Sequence, residues 1–152
     1  METSTQPITI LMADDDPDDC LIIRDALDAS KVPHKFHHVK DGQELLDYLR
    51  RQGDYREPQS SPCPSLILLD LNMPRKKGLE VLMEIKQDLR LRTIPLVVLT
   101  TSSAETDIER AYELGANSFI TKTIKFDALV ETMKILSKYW FQMVKLPRIC
   151  YC

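Results

Sequence analysis

Short aliphatic runs alternate along this chain with longer segments whose apolar residues recur at helical spacing. Such alternation predicts a parallel sheet with helices packed on both faces. Five strands and five helices in strict alternation fit a doubly wound α/β fold with strand order 2-1-3-4-5. The predicted strands are Ile8 to Ala13, Lys35 to Val39, Ser65 to Leu69, Pro95 to Thr100 and Asn117 to Thr121.

The apolar spacing also predicts which face of each helix is buried. The first helix begins where Asp16 can cap the backbone and Pro17 can occupy the first turn. The second helix follows Asp41 and Gly42, and Gly115 can end the fourth in a left-handed conformation. The residues expected to face the sheet are Leu21, Ile22, Ala26 and Leu27, then Leu45, Leu46 and Leu49, then Leu79, Leu82, Met83 and Lys86, then Ile108, Ala111 and Tyr112, and finally Phe126, Leu129, Val130, Met133, Leu136 and Trp140.

Two segments exceed what this minimal pattern needs. The stretch from Gly53 to Pro64 is rich in proline and serine, so we expect a long surface loop. Apolar residues continue from Phe141 to Leu146 until Pro147 prevents further helix, and this stripe either folds against its own domain or forms a dimer or partner surface. The predicted organisation is a flexible N-terminus (1–7), one folded domain (8–142) and a C-terminal extension (143–152).

Polar side chains close several of the predicted strands, at the edge where open parallel sheets bind ligands. Asp14 and Asp15 follow the first strand, and Asp70 follows the third. Thr100 ends the fourth strand, and Lys122 follows the fifth. We therefore expect these five side chains to meet in one pocket.

The three carboxylates would repel one another unless a cation or a proton lies between them. Oxygen ligands without His or Cys favour a hard ion, and a few carboxylates with waters and a phosphate suit Mg²⁺ better than Ca²⁺. The run from Asp14 to Asp18 also has the first ligand spacings of a calcium EF-hand loop. That interpretation fails because Asp19 stands where the loop needs Gly, and a strand precedes the run.

Asp70 follows the most apolar strand, so it is the carboxylate we expect to be best fixed and the candidate nucleophile. Attack of a carboxylate on phosphorus gives an acyl phosphate, and this step depends mostly on positioning and charge neutralisation. Mg²⁺ and the Lys122 ammonium would supply positive charge, while the Thr100 hydroxyl could donate a hydrogen bond to a phosphoryl oxygen.

Four stretches resemble the signature segments of response-regulator receiver domains in two-component signalling, in the same order, within a match from about Ile8 to Trp140. They are Ile10-Leu11-Met12-Ala13-Asp14-Asp15-Asp16, Leu69-Asp70-Leu71-Asn72-Met73-Pro74, Val98-Leu99-Thr100 and Phe119-Ile120-Thr121-Lys122. The resemblance implies a flavodoxin-like receiver fold and phosphorylation of Asp70. It also implies a signalling switch rather than an enzyme.

The same resemblance implies roles for the remaining site residues. The implied metal ligands are Asp14, Asp15, Asp70 and the backbone carbonyl of Asn72. Thr100 and Lys122 would hold the phosphoryl group. Phe119 corresponds to the switch aromatic of the family, which turns inward when the hydroxyl of Thr100 is drawn to the phosphoryl group.

Features outside the site resemble the small single-domain regulators of cyanobacterial phytochrome histidine kinases. These features are the proline-rich loop, Thr100-Thr101-Ser102, Lys122-Thr123 and Tyr139-Trp140-Phe141. The implied partner is a phytochrome-type histidine kinase, and phosphorylation would change dimerisation or partner choice. Thr123 departs from the family, which usually has Pro there, so the loop after Lys122 is expected to be strained or differently shaped.

Composition gives no reason to expect a nucleic-acid partner, because 20 Lys+Arg against 23 Asp+Glu leave a net charge of -3. The apolar runs fall short of the roughly 20 residues of a membrane span, so a cytoplasmic location is expected. The four cysteines have no Cys-x-x-Cys spacing, which favours reduced thiols, and no role is predicted for Cys150 and Cys152. His34, His37 and His38 are interpreted as structural or surface residues.

Two other functions compete with the receiver hypothesis. A phosphohydrolase similar to the haloacid dehalogenases would use Asp70 as nucleophile, but it needs an acid/base Asp two residues later, where Asn72 stands. A flavodoxin-like flavin carrier would need a phosphate-binding loop after the first strand, where the acids from Asp14 to Asp16 would repel phosphate without a metal.

Overall fold

The computed structural model describes residues 8–31, 33–122 and 125–147. Five parallel strands form one sheet in the order β2-β1-β3-β4-β5, which confirms the predicted doubly wound fold. Each strand begins within one residue of its predicted start. The strands are β1 (Ile8–Ala13), β2 (His34–Val39), β3 (Leu66–Leu69), β4 (Leu96–Thr100) and β5 (Ser118–Thr121).

Strands β3 and β4 lie in the middle of the sheet, and all of their residues are buried. Their side chains point alternately to two apolar cores because successive residues of a strand face opposite sides. Leu11 and Ile67 belong to the core beneath the second, third and fourth helices, whereas Ile10 and Leu68 belong to the core beneath the first and fifth. The aliphatic runs therefore reflect burial on both faces of the sheet.

Five helices cover the two faces of the sheet: α1 (Pro17–Ala29), α2 (Gly42–Arg50), α3 (Gly78–Gln87), α4 (Glu105–Leu114) and α5 (Phe126–Ser137). Asp16 caps α1 by accepting a hydrogen bond from the backbone N–H of Asp18. Gly115 ends α4 with a φ of 111°, a conformation that favours glycine. The predicted start of α1 and the predicted end of α4 are thus confirmed.

The buried face predicted for α1 is wrong by part of a turn. Cys20 and Ile23 are buried with Ala26 and Leu27, whereas Leu21 is 55% exposed and Ile22 is 38% exposed. Cys20, Ile23 and Leu27 recur at spacings of three and four residues and so share the face that packs on the sheet, whereas Leu21 and Ile22 lie off that face.

The predicted inward positions of Tyr112 and Phe126 are also wrong. The ring of Tyr112 on α4 is 49% exposed, and its hydroxyl accepts a hydrogen bond from the backbone N–H of Phe119. Phe126 is the first residue of α5 and is 48% exposed at the rim of a cleft. Both residues lie at the ends or edges of the fold, where spacing along one helix does not determine burial.

The proline-rich segment after α2 is hydrogen-bonded to that helix and to Arg51, which follows it. A short 3₁₀ helix occupies Gly53–Tyr55. The hydroxyl of Tyr48 donates a 2.7 Å hydrogen bond to the carbonyl of Pro62, and Arg51 donates a 2.9 Å hydrogen bond to the carbonyl of Ser61. These contacts hold the loop before β3 against the end of α2.

A π-helix at Lys138–Met143 continues directly from α5. In the parts of the chain described, no helix has the length and apolar character needed to cross a membrane. Cys20 is a buried free thiol, whereas Cys63 is disulfide-bonded, so the expectation of reduced thiols is wrong for Cys63.

The flexible N-terminus predicted for residues 1–7 lies outside the described residues, as do Thr123, Cys150 and Cys152. The division into a domain at 8–142 and an extension at 143–152 stays a prediction.

Candidate functional site

The carboxyl ends of the strands bring the predicted site residues together. Ala13 of β1 pairs with Leu69 of β3, so the residues that follow them, Asp14 and Asp70, lie side by side. Thr100 of β4 pairs with Thr121 of β5, and Lys122 follows directly. The sheet register therefore places all of these side chains at one edge.

Three acids form the floor of the site. Asp14 is fully buried and Asp70 is 6% exposed, whereas Asp15 is exposed. One carboxylate oxygen from each residue lies within 4.8 Å of the others. This all-oxygen donor set fits a hard divalent cation such as Mg²⁺.

The burial of Asp14 has an electrostatic consequence. Burial raises the pKa of Asp14 above its ordinary value, and the hydrogen bond from Lys122 only partly opposes that effect. The charge of Asp70 raises the pKa of Asp14 further. Like charges are therefore concentrated here at an energetic cost, which is a frequent property of binding and catalytic sites.

Asp70 is held by neighbours on three sides. Its Oδ1 accepts a 2.7 Å hydrogen bond from the Thr100 hydroxyl and a 3.3 Å hydrogen bond from the backbone N–H of Asn72. Its backbone N–H donates to the carbonyl of Ala13 across the sheet, at 3.0 Å. A Cβ atom built on Gly78 would lie only 2.5 Å from the carbonyl oxygen of Asp70, so α3 packs directly against this backbone.

Lys122 is almost buried, with 8% of its side chain exposed, and it neutralises several acids at once. Its ammonium nitrogen lies 2.6 Å from Oδ2 of Asp14, 2.8 Å from Oδ2 of Asp19 and 3.8 Å from Oδ2 of Asp70. Burial lowers the pKa of Lys122, but the hydrogen bonds to Asp14 and Asp19 outweigh burial, so the pKa is raised overall. The side chain is charged at neutral pH.

Two side chains that the sequence reasoning did not assign to the site contact it. Asp19, in the first turn of α1, is hydrogen-bonded to Lys122. The Nε2 atom of His38, near the end of β2, lies 2.7 Å from the backbone carbonyl of Asp14. The position of β2 beside β1 is the signal that could have identified His38, since Met12 pairs with His38 in the sheet.

The remaining predicted residues lie near the acids in different ways. Asn72 is exposed directly after the Asp70 strand end. Phe119, on β5, is partly buried against the core beneath α3 and α4. Its backbone N–H donates a 3.1 Å hydrogen bond to the hydroxyl of Tyr112.

A cleft of about 270 Å³ opens beside Lys122, between α1 and the start of α5. Its lining is mainly apolar, with Asp19 and Lys122 as the charged residues. The full lining is Asp19, Ile22, Ile23, Thr101, Lys122, Phe126 and Leu129. A partner or small molecule that enters this cleft therefore meets both the carboxylate of Asp19 and the ammonium of Lys122.

A five-stranded sheet with clustered acids, a hydroxyl and an ammonium at one edge defines a phosphoryl-receiving signalling domain. The chain belongs to the response regulator receiver domain family, whose model matches residues 10–134. It is 39% identical over 146 residues to the response regulator Rcp1 of Synechocystis sp., covering 96% of this chain and 97% of that protein.

Solved structures agree with this family membership. The crystal structure of the phosphorylated cyanobacterial phytochrome response regulator RcpA superposes with a TM-score of 0.87 at 41% identity, over 94% of this chain and all of that one. The Mn²⁺-bound form of Rcp1 gives a TM-score of 0.85 at 39% identity, over 93% of this chain and 100% of that chain.

Family membership gives the chain a general role. It is a response regulator with a receiver domain, a signalling switch whose partner is a histidine kinase. Receiver domains bind a divalent metal ion, and the carboxylates of Asp14, Asp15 and Asp70 have the spacing and the oxygen donors for Mg²⁺.

Proposed function

We propose that this chain receives a phosphoryl group on Asp70 from a phytochrome-type histidine kinase and signals through contacts with other proteins. The observation that carries the proposal is the meeting of Asp14, Asp15 and Asp70 with Thr100 and Lys122 at one sheet edge. The similarity to phytochrome response regulators along almost the whole chain supports the choice of kinase.

Asp70 is the acceptor in this proposal because it is the acid with both a hydroxyl donor and a nearby ammonium. A carboxylate oxygen of Asp70 forms a bond to phosphorus while the bond from phosphorus to the kinase histidine breaks. The histidine nitrogen keeps the electron pair of that bond and takes up a proton. The product is an acyl phosphate on Asp70.

The chain's own residues lower the cost of bringing two anions together. Lys122 supplies a fixed positive charge at the rim, and the Thr100 hydroxyl can exchange its bond to Asp70 for one to a phosphoryl oxygen. Asp14, Asp15, Asp70 and the backbone carbonyl of Asn72 would hold Mg²⁺. The ion, when bound, neutralises charge on the phosphoryl oxygens.

The switch in this proposal links Thr100 to Phe119. When the hydroxyl of Thr100 moves toward the phosphoryl group, it leaves space that the partly buried ring of Phe119 can enter. Because the backbone N–H of Phe119 donates a hydrogen bond to the hydroxyl of Tyr112, movement of Phe119 would also displace Tyr112 on α4. The exposed surface of α4, β5 and α5 is then the part of the molecule that changes on phosphorylation and that partner proteins recognise.

Phosphorylation of Asp70 is tested with acetyl phosphate and Mg²⁺, followed by intact-protein and peptide mass spectrometry. We expect one phosphoryl adduct that hydroxylamine removes and that maps to the peptide containing Asp70. The variant Asp70→Asn should remain unmodified, whereas Asp88→Asn, which removes an acid at the end of α3, should be modified like the natural chain. An adduct of equal yield in Asp70→Asn would contradict the assignment.

The kinase is tested by phosphotransfer from two purified, autophosphorylated histidine kinases, one of the cyanobacterial phytochrome type and one from a different sensor class. We expect faster transfer from the phytochrome-type kinase. Equal or slower transfer would contradict the choice of partner without affecting Asp70. A cytoplasmic location belongs to the same proposal, because such a kinase forms its phosphohistidine where ATP is available. The absence of steady enzymatic turnover is also part of the proposal.

We also infer that the chain forms a homodimer through α5 and the helical turns that follow it. Ile135 is 69% exposed, Tyr139 is 48% exposed and Met143 is 66% exposed. Beside them lies a shallow cleft of about 240 Å³ with an apolar floor that includes Ile120 and Trp140. Exposed large apolar side chains next to such a cleft are typical of surfaces that bind another protein.

The dimer is tested by sedimentation of the natural chain and of Ile135→Glu, with and without acetyl phosphate. A charge in the centre of the patch should shift the protein to monomer, because an unpaired charge is costly in a buried interface. Leu89→Glu is the matched control, since Leu89 is similarly exposed, at 74%, but follows α3. Identical sedimentation of both variants and the natural chain would contradict this interface.

A further inference from the structure

We propose that Asp19 restrains phosphorylation of Asp70 by competing for the ammonium of Lys122. This inference rests on the proposed function of Asp70 as phosphoryl acceptor. Asp19, in the first turn of α1, would then help to set the phosphorylation rate. It does so although it is neither the proposed acceptor nor a proposed metal ligand.

The distances around Lys122 carry the argument. Its ammonium nitrogen is within hydrogen-bond distance of Asp14, at 2.6 Å, and of Asp19, at 2.8 Å. Asp70 lies 3.8 Å away, which is an ion-pair distance but too long for a hydrogen bond. The positive charge that must stabilise the phosphoryl group is therefore drawn toward two other acids.

The two acids that compete with Asp70 for Lys122, Asp14 and Asp19, differ in their relation to the metal site. Asp14 belongs to the cluster of three carboxylates that fits a divalent ion. When a cation binds there, the negative charge of Asp14 is shared with it, and its hold on Lys122 weakens. Asp19 is not a member of that cluster, so its attraction for Lys122 persists when the metal is bound.

The location of Asp19 adds a second effect. The carboxylate is one-third exposed and lines the same cleft as Lys122. An anionic phosphoryl donor that enters by this route approaches a negative charge. Both effects slow phosphorylation, and both disappear if the charge of Asp19 is removed while the shape of the side chain is kept.

The test compares the rate of phosphorylation by acetyl phosphate, at saturating Mg²⁺, for the natural chain, Asp19→Asn and Asp18→Asn. Asp18 is an exposed acid in the same helical turn, so its variant loses the same charge and the same helix-dipole interaction. Because the carboxylate of Asp19 is one-third exposed and its charge is partly screened by solvent, we expect Asp19→Asn to react only about two- to fivefold faster. Asp18→Asn should react at close to the natural rate.

Two further readouts distinguish competition for Lys122 from a structural effect. The variant Asp19→Glu, which keeps the charge, should restore the slow rate. The acceleration in Asp19→Asn should also shrink at high salt, because salt screens a partly exposed charge. Urea unfolding of each variant checks that the fold is retained.

The outcomes separate this inference from the proposed function. Equal rates in Asp19→Asn and Asp18→Asn, or a slower rate in Asp19→Asn, would overturn the role of Asp19 while leaving Asp70 as the acceptor. Absence of any adduct in the natural chain would overturn the proposed function, and this inference with it.

Discussion

The hydroxyl of Thr100 donates a 2.7 Å hydrogen bond to Oδ1 of Asp70, and both side chains are buried. The bond joins two neighbouring strands at the point where each ends, so it ties Asp70, the proposed acceptor, to β4, the strand next to β5. A buried carboxylate oxygen that lost this donor would be left poorly satisfied.

Thr100→Ala should therefore lower the free energy of unfolding by about 1–2 kcal/mol. The variant should also accept phosphate on Asp70 without the structural change at Phe119, because no hydroxyl remains to move. Urea unfolding measures the first effect, and chemical-shift changes at the Phe119 amide, with and without phosphorylation, measure the second. Thr100→Ser keeps the hydroxyl and should resemble the natural chain, so equal behaviour of the Ala and Ser variants would refute this role.

Asp14→Asn should raise the thermal stability measured at neutral pH in a chelator. Burial raises the pKa of Asp14 in the folded protein above the unfolded value of 3.8, so the folded state binds this proton more tightly than the unfolded chain does. The ionised carboxylate therefore costs stability at pH 7, and that cost is relieved as the pH falls through the folded-state pKa. Lys122 keeps Asp19 as a partner in this variant.

The pH dependence of the melting temperature tests this prediction for Asp14. The difference in melting temperature between Asp14→Asn and the natural chain should be largest at pH 7 and should shrink as the pH approaches 4. Asp15→Asn is the control, since it removes an exposed acid of the same cluster and should change the melting temperature little. Both variants should bind Mg²⁺ more weakly. A lower melting temperature for Asp14→Asn at pH 7 would contradict the prediction.

Cys20 should resist alkylation in the folded protein. Burial raises the pKa of its thiol from 9.0 to about 12, and the charge of Asp14 adds to the effect. Since the thiolate is the reactive form, only about one thiol in a thousand would be ionised at pH 9. Peptide mapping after iodoacetamide treatment at pH 9 should show Cys20 unmodified in the folded chain and modified in denaturant; rapid modification of the folded chain would contradict the burial of this thiol.

Gly78→Ala should destabilise the fold and shift the backbone of Asp70. The added Cβ would lie 2.5 Å from the carbonyl oxygen of Asp70 and 2.6 Å from the Cα of Leu71, so the backbone must shift. Overpacking of this kind costs about 1–3 kcal/mol. Urea unfolding measures the loss, and Gln87→Ala, at the exposed end of the same helix, should change stability little. A neutral Gly78→Ala would show that α3 can move away from Asp70.

The sequence determines the sheet well because burial on both faces demands an uninterrupted aliphatic strand. The run Leu66 to Leu69 in β3 meets that demand, and the position of Asp70 follows from where the run ends. Helix faces are harder to predict, as Leu21 and Ile22 illustrate, since apolar residues on adjacent positions leave the rotation of the helix ambiguous.

The convergence of Asp14, Asp70, Thr100 and Lys122 was predictable because strand ends of a parallel sheet share one edge. The contact between Asp19 and Lys122 joins residues 103 positions apart and depends on the rotation of α1, which the sequence left open. The contact of His38 with the carbonyl of Asp14 depends on strand register in the same way.

The complete burial of β3 means that the interior and the surface of this molecule tolerate substitution to different degrees. Every side chain from Leu66 to Leu69 is enclosed, so a replacement there that changes the volume should disturb the position of Asp70. The helix surfaces that another protein can touch lie outside this enclosed layer. Substitutions on these outer helix surfaces can therefore change which proteins the domain binds without altering the buried strands that position Asp70.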